Sequence, residues 1–155
     1  MAKKVISQVE FEIGQLEQLF VSYANLIERA NKTDLDLIEV TALASVLHSF
    51  YNGLENIFLS IAKGIDNDVP TGAQSHRDLL TRMTQSTSDR APVLTIETAH
   101  QLANYLGFRH FFHHSYSFFL DWHEMERLIF LLPEIWVQTK AELHLFLERL
   151  ASLRE

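Results

Sequence analysis

Between Gly107 and Tyr116 the chain reads Gly107-Phe108-Arg109-His110-Phe111-Phe112-His113-His114-Ser115-Tyr116, which places one guanidinium and three imidazoles within six residues of an aromatic-rich stretch. A helix that only filled a core would have no use for them. Metal-free cleavage of RNA needs a base to deprotonate the 2'-hydroxyl, an acid to protonate the departing 5'-oxygen, and cationic donors around the pentacovalent phosphorus. Imidazole titrates near neutrality and suits the first two tasks; a guanidinium stays charged and can grip two phosphate oxygens at once. In a continuous helix Arg109 and His114 differ by about 7.5 Å of rise and about 140° of rotation, so they do not share a face. His113, four residues after Arg109, does share one and competes for the acid or base role.

The elements that must position these groups are helices. Val5, Val9, Ile13, Leu16, Phe20, Tyr23 and Ile27 recur at steps of three and four, predicting a first helix that ends near Asn31. Thr33 is the expected cap of a second, in which Leu43, Leu47, Phe50, Leu54, Ile57 and Ile61 form an apolar seam running to about Gly64. Turn-forming residues from Ile65 to Ala73 predict a loop, then a shorter helix from Gln74 to about Gln85, then a polar loop to Pro92. Thr95 caps the helix that carries the histidine cluster, and Pro133 suits the first turn of a last helix containing Leu143, Phe146, Leu150 and Leu153. No strand alternation or internal repeat occurs, so the expected fold is all-α, an antiparallel bundle of about five helices forming one domain over residues 1–155.

Composition narrows the chemistry further. Hydrophobic residues make up 47% of the 155 residues and charged ones 21%, enough apolar material for a real core. Without cysteine there is no disulfide, thiolate metal site or cysteine nucleophile. The N-terminus carries no signal-peptide core and no run long enough to span a membrane, so a cytoplasmic location is expected. A net charge of -7 argues at first against a nucleic-acid partner. Its distribution reverses that: residues 1–75 carry 5 basic and 10 acidic side chains, residues 76–114 carry 4 and 3, and residues 115–155 carry 4 and 7. Only the middle segment is positive, and it also holds His76, His100, His110, His113 and His114.

Written as a pattern, the cluster is Arg109, four residues, His114, one residue, Tyr116. This resembles the Arg-x4-His-x-Tyr motif of HepT toxins, within the broader HEPN signature of an Arg followed at short range by a His. Phe50-Tyr51-Asn52-Gly53-Leu54-Glu55-Asn56-Ile57-Phe58 and His76-Arg77-Asp78-Leu79-Leu80 resemble the corresponding HepT segments, so the likeness extends over most of the chain. It implies a HEPN-type helical fold and the toxin half of a toxin–antitoxin pair, a metal-independent endoribonuclease with no cofactor. Arg109 becomes the transition-state clamp. His114 becomes the acid or base, since only it has the motif's spacing to Tyr116. Two copies would converge at a two-fold interface, so that symmetry supplies a second histidine and arginine. The resemblance further implies a minimal nucleotidyltransferase (MNT-type) antitoxin that places AMP on Tyr116, and tRNA as the RNA substrate.

The remaining polar residues rank behind these. His110 and His113 are read as flanking phosphate contacts or interface residues, and Glu55, His76 and Arg77 as supporting candidates, with Glu55 able to orient Arg109 or a histidine if buried. Phe111, Phe112, Phe118 and Phe119 are read as core or dimer contacts. Two alternatives stand: a non-catalytic HEPN-like module that binds nucleotide or substrate for a nucleotidyltransferase, and a helical metalloprotein in which His110 and His114 join His48 or His76 around zinc or nickel. Against the second, the cluster contains no acidic residue and Arg109 would repel a cation.

Overall fold

A computed structural model describes residues 2–114, 116 and 120–153. Its elements are α1 (Ala2–Arg29), α2 (Leu37–Ile61), a π-helical turn (Ala62–Asp66), α3 (Ser75–Arg82), α4 (Ile96–His113) and α5 (Trp122–Ser152). The fold is an all-α helical bundle, with no strand among the described residues. No helix among them is long and apolar enough to cross a membrane.

The predicted seam of α2 is the centre of the core: Leu43, Leu47, Phe50, Leu54, Ile57 and Ile61 are fully buried. Burial of such side chains stabilises by about 1.5–3 kcal/mol each. Phe50 meets three helices at once, edge-on to Phe20 of α1, Tyr105 of α4 and Trp136 of α5. This fixes α4 against α2, and the Tyr105 hydroxyl, donating to the Leu128 carbonyl at 2.7 Å, ties α4 to α5. At its start α4 is pinned again: the Thr95 amide and the Thr98 hydroxyl donate to Glu142 of α5 at 2.8 and 2.6 Å. Thr95 caps α4 as expected, accepting from the Thr98 amide.

Four boundaries differ from the sequence-based expectation, each for a local reason. Thr33 does not cap α2, because its hydroxyl donates back to the Arg29 carbonyl and so closes α1. Asp36 takes the role in a capping box with Glu39, each side chain accepting from the other's amide. The second helix does not run as α-helix to Gly64; it widens into the π turn after Ile61 and ends at Asn67 in left-handed conformation, φ 56°. The third stops at Arg82, because the next carbonyl, that of Met83, accepts from the Val93 and Leu94 amides. Pro133 lies inside α5, not in its first turn: Asp121 caps the helix by accepting from the His123 amide, and the exposed proline leaves its missing donor on the solvent side. Buried residues on both sides of it, from Met125 to Leu150, hold the helix together.

Candidate functional site

The last turns of α4 carry the motif, and the end of that helix splits it between two sides. Toward α2, the Arg109 Nε donates to Asn52 Oδ1 at 2.7 Å. A guanidinium has no acceptor, so Asn52 must present its oxygen to it and its amide nitrogen to the other neighbour, His48 Nε2, at 2.9 Å. His48 therefore accepts at Nε2 and carries its hydrogen on Nδ1, which is buried and has no hydrogen-bond partner among the described residues. Burial, then the nearby His113, then Arg109 hold its pKa below the ordinary imidazole value. His113 meets the His48 ring edge-on at 4.8 Å, and Phe112 lies 4.9 Å from it. The side chain of Arg109 is thus half-buried with its Nε engaged, while its terminal Nη donors have no protein partner among the described residues.

The other side of α4 faces outward. His110 and His114, one turn apart, bring their rings to 4.7 Å, and both are exposed. His114 is the C-cap residue of α4. Tyr116 lies beyond the helix with 71% of its surface exposed. Ser115, Phe118 and Phe119 lie outside the described residues. Phe111 is exposed and Phe112 half-buried against the core.

Of the supporting candidates, Glu55 is buried and pairs with His76 Nδ1 at 2.7 Å, so it orients that histidine and makes no bond to Arg109. Its second oxygen, Oε2, and the hydroxyl of Tyr51 are buried without hydrogen-bond partners among the described residues. Burial and the Glu55 charge push the Tyr51 phenol up, opposed in part by Arg109, so a polar row of His48, Tyr51, Asn52 and Glu55 backs the guanidinium. Arg77 does not join this group. It lines a cleft of about 570 Å³ between α3 and α4 with Thr81, Thr84 and His100, over an apolar floor.

Sequence reasoning misses Asn52 and the positioning role of His48. The available signal was the spacing His48, Asn52, Glu55, steps of four and three, on a helix whose opposite face is apolar throughout. For the metal alternative, His110 does pair with His114, but His48 lies on His113 and His76 on Glu55. Among the described residues no three histidine or carboxylate side chains converge to hold an ion.

Comparison with curated proteins and with solved structures returned no match. Residues 42–150, which take in most of α2, all of α3 and α4 and nearly all of α5, match the family described as HepT-like protein. That span holds every residue of the polar row and of the motif, and the chain belongs to the HepT-like protein family.

Proposed function

We propose that this protein is the toxin of a HEPN/MNT-type toxin–antitoxin pair and acts as a metal-independent endoribonuclease, with tRNA as its substrate. The observation that carries this reading is the Asn52-anchored Arg109, its terminal donors without a protein partner among the described residues, on the same helical turns as His110, His113 and His114. Family membership supports a HEPN-type toxin whose usual partner is a nucleotidyltransferase antitoxin.

In this mechanism one imidazole takes the proton of a ribose 2'-hydroxyl, whose oxygen attacks the adjacent phosphorus. The bond from phosphorus to the 5'-oxygen breaks, and a second imidazole protonates the leaving oxygen. The products are a 2',3'-cyclic phosphate and a 5'-hydroxyl. Arg109 holds the extra negative charge on the phosphoryl oxygens. His114 is the histidine assigned to this chemistry, and because it lies on the other side of α4 from Arg109, the reading needs a symmetric homodimer in which the two copies complete each other's site. Neutralisation is assigned to Tyr116: its phenolic oxygen attacks the α-phosphorus of ATP, losing its proton as pyrophosphate leaves, and across the dimer the attached AMP puts a negative charge where the other copy's Arg109 would hold the RNA phosphate.

Incubating the purified protein with total RNA in EDTA tests the nuclease. Cleavage to cyclic-phosphate ends, absent in Arg109→Ala, is expected; intact RNA at high enzyme concentration would sink the reading in favour of a binding module. Mass spectrometry after incubation with the partner nucleotidyltransferase and ATP tests the second half, with one AMP or more on the wild type and none on Tyr116→Phe.

A further inference from the structure

The outward stripe of α2 runs Ser45, Ser49, Asn52, Asn56 and Ser60, at steps of three and four on one face, and leads into Lys63 of the π turn. It contains hydroxyls, amides and one ammonium, and no carboxylate, in a chain whose net charge is -7. Midway along it Asn52 holds Arg109. At its far end, about 16 Å beyond Asn52, the stripe opens into a cleft of about 360 Å³ between α1 and α2, whose polar lining is Lys4, Gln8, Asn56, Ser60 and Lys63. No acidic residue lines this cleft. Neither lysine is in an ion pair among the described residues, although Arg29, Lys32, Arg82, Arg90 and Lys140 all are.

The backbone here is built for this approach. Lys63 lies within the π turn, a wider turn that occurs disproportionately at functional sites. The turn is locked from behind by Asp66, which receives two hydrogen bonds from the buried Arg90 at 2.7 and 2.9 Å. Gly64 lets α1 come close: a Cβ there would run into the buried Val5 side chain, next to Lys4. A salt-bridged end of α2 would serve stability equally well, and two exposed ammonium groups on a cleft without a carboxylate in its lining favour an anion there.

We infer that the Lys4–Lys63 cleft binds the phosphate backbone of the RNA strand several nucleotides from the scissile bond, with the α2 stripe as the track joining it to Arg109. This rests on the ribonuclease reading for the identity of the anion. The amides of Asn56 and Gln8 can donate to phosphate and ribose without reading bases, whereas the Ser60 hydroxyl donates to the Asn56 carbonyl and the Asn52 amide to His48, so the subsite contributes affinity and register but not sequence choice.

The test uses a long single-stranded RNA and the full chain, with binding measured in a His114→Ala background and cleavage in the wild-type background. Lys4→Gln with Lys63→Gln should weaken binding about tenfold at low salt and reduce the slope of log affinity against log salt by about 1.4, as expected when two contacts to a single strand are lost. Cleavage should fall through a higher KM. The control Arg127→Gln with Arg149→Gln removes the same charge elsewhere and should change neither. An unchanged salt slope, an equal loss in the control, or a change in oligomeric mass in the lysine variant, which would make the cleft a contact between copies, overturns the inference. Wild-type protein that binds RNA with the lysine-dependent slope but never cleaves it would sink the nuclease and leave the subsite standing.

Discussion

The two sides of the end of α4 are organised differently. On the α2 side, Arg109 and His113 are each held by contacts that the fold already requires: Asn52 and His48 stand on the same helix as Phe50 and Leu54, so packing the core also places the polar row. On the outward side, His110 and His114 have each other and solvent, and Tyr116 follows where the helix has ended. One chain therefore fixes the guanidinium in advance and leaves the histidine proposed as acid or base exposed. A site whose halves are fixed by different means needs a second body to bring them into register, and the proposed two-fold partner fills that role.

The largest effects should come from breaking either half. Arg109→Ala and His114→Ala are each expected to lower RNA cleavage by at least about a hundredfold, the usual scale for one transition-state donor or one acid–base group, with helical content unchanged by circular dichroism. Mixing the two dead variants sharpens the comparison. If an Arg109 from one copy works with a His114 from the other, mixed dimers hold one complete pair and cleavage returns in part; a mixture as inactive as its components would mean either that each chain works alone or that both copies of His114 are needed, one as base and one as acid. His113→Ala should retain part of the activity, and the reverse pattern, full activity in His114→Ala and none in His113→Ala, would move the chemistry to the α2 side.

Asn52 gives a smaller, more diagnostic effect. Asn52→Ala removes the acceptor from Nε and leaves His48 Nε2 unpaired, so the guanidinium loses its fixed orientation. A loss of about tenfold in kcat is expected, from the cost of an unsatisfied half-buried bond. Asn52→Asp, which keeps the acceptor oxygen, should recover part of it. An Asn52→Ala enzyme with unchanged kcat would show that Arg109 needs no anchor.

How much of this was legible beforehand follows from the range of the interactions. The seam of α2, the Thr95 cap and the cluster on α4 are local patterns, repeated every three or four residues, and all three appear in the structure as read. Thr33 and Pro133 misled because each has two uses: a threonine can cap the next helix or close the previous one, and a proline can begin a helix or sit on its wet face. The Arg109–Asn52 bond joins residues 57 positions apart, and the polarity of Asn52 alone does not tell which helix it will meet. Glu55 was visible as a candidate, yet its choice of His76 over Arg109 depends on where α3 docks.

The smallest expected effect concerns His48 and isolates the α2 side by pH. His48 is kept neutral by burial, by His113 and by Arg109 from α4, while Tyr51 and Glu55 flank it on its own helix. Its folded pKa lies below the ordinary 6.5, so on acidification the unfolded chain takes up the proton first. The unfolded state then binds more protons than the native one, and stability falls as pH drops from about 6.5 toward the lower folded value, with nothing further lost below it. Protonation also has a local consequence. A charged His48 would carry hydrogen on Nε2, facing the Asn52 amide that already donates there. Two donors cannot share the contact, so Asn52 must turn, and turning takes its oxygen away from Arg109. His48→Gln offers a carbonyl oxygen that can accept from Asn52 and does not titrate. Denaturant midpoints and cleavage rates measured against pH should therefore decline less steeply on the acid side in His48→Gln than in the wild type, with the two proteins converging near neutrality. Parallel curves would mean that the acid sensitivity belongs to the exposed histidines, and that His48 is only a packing neighbour of His113.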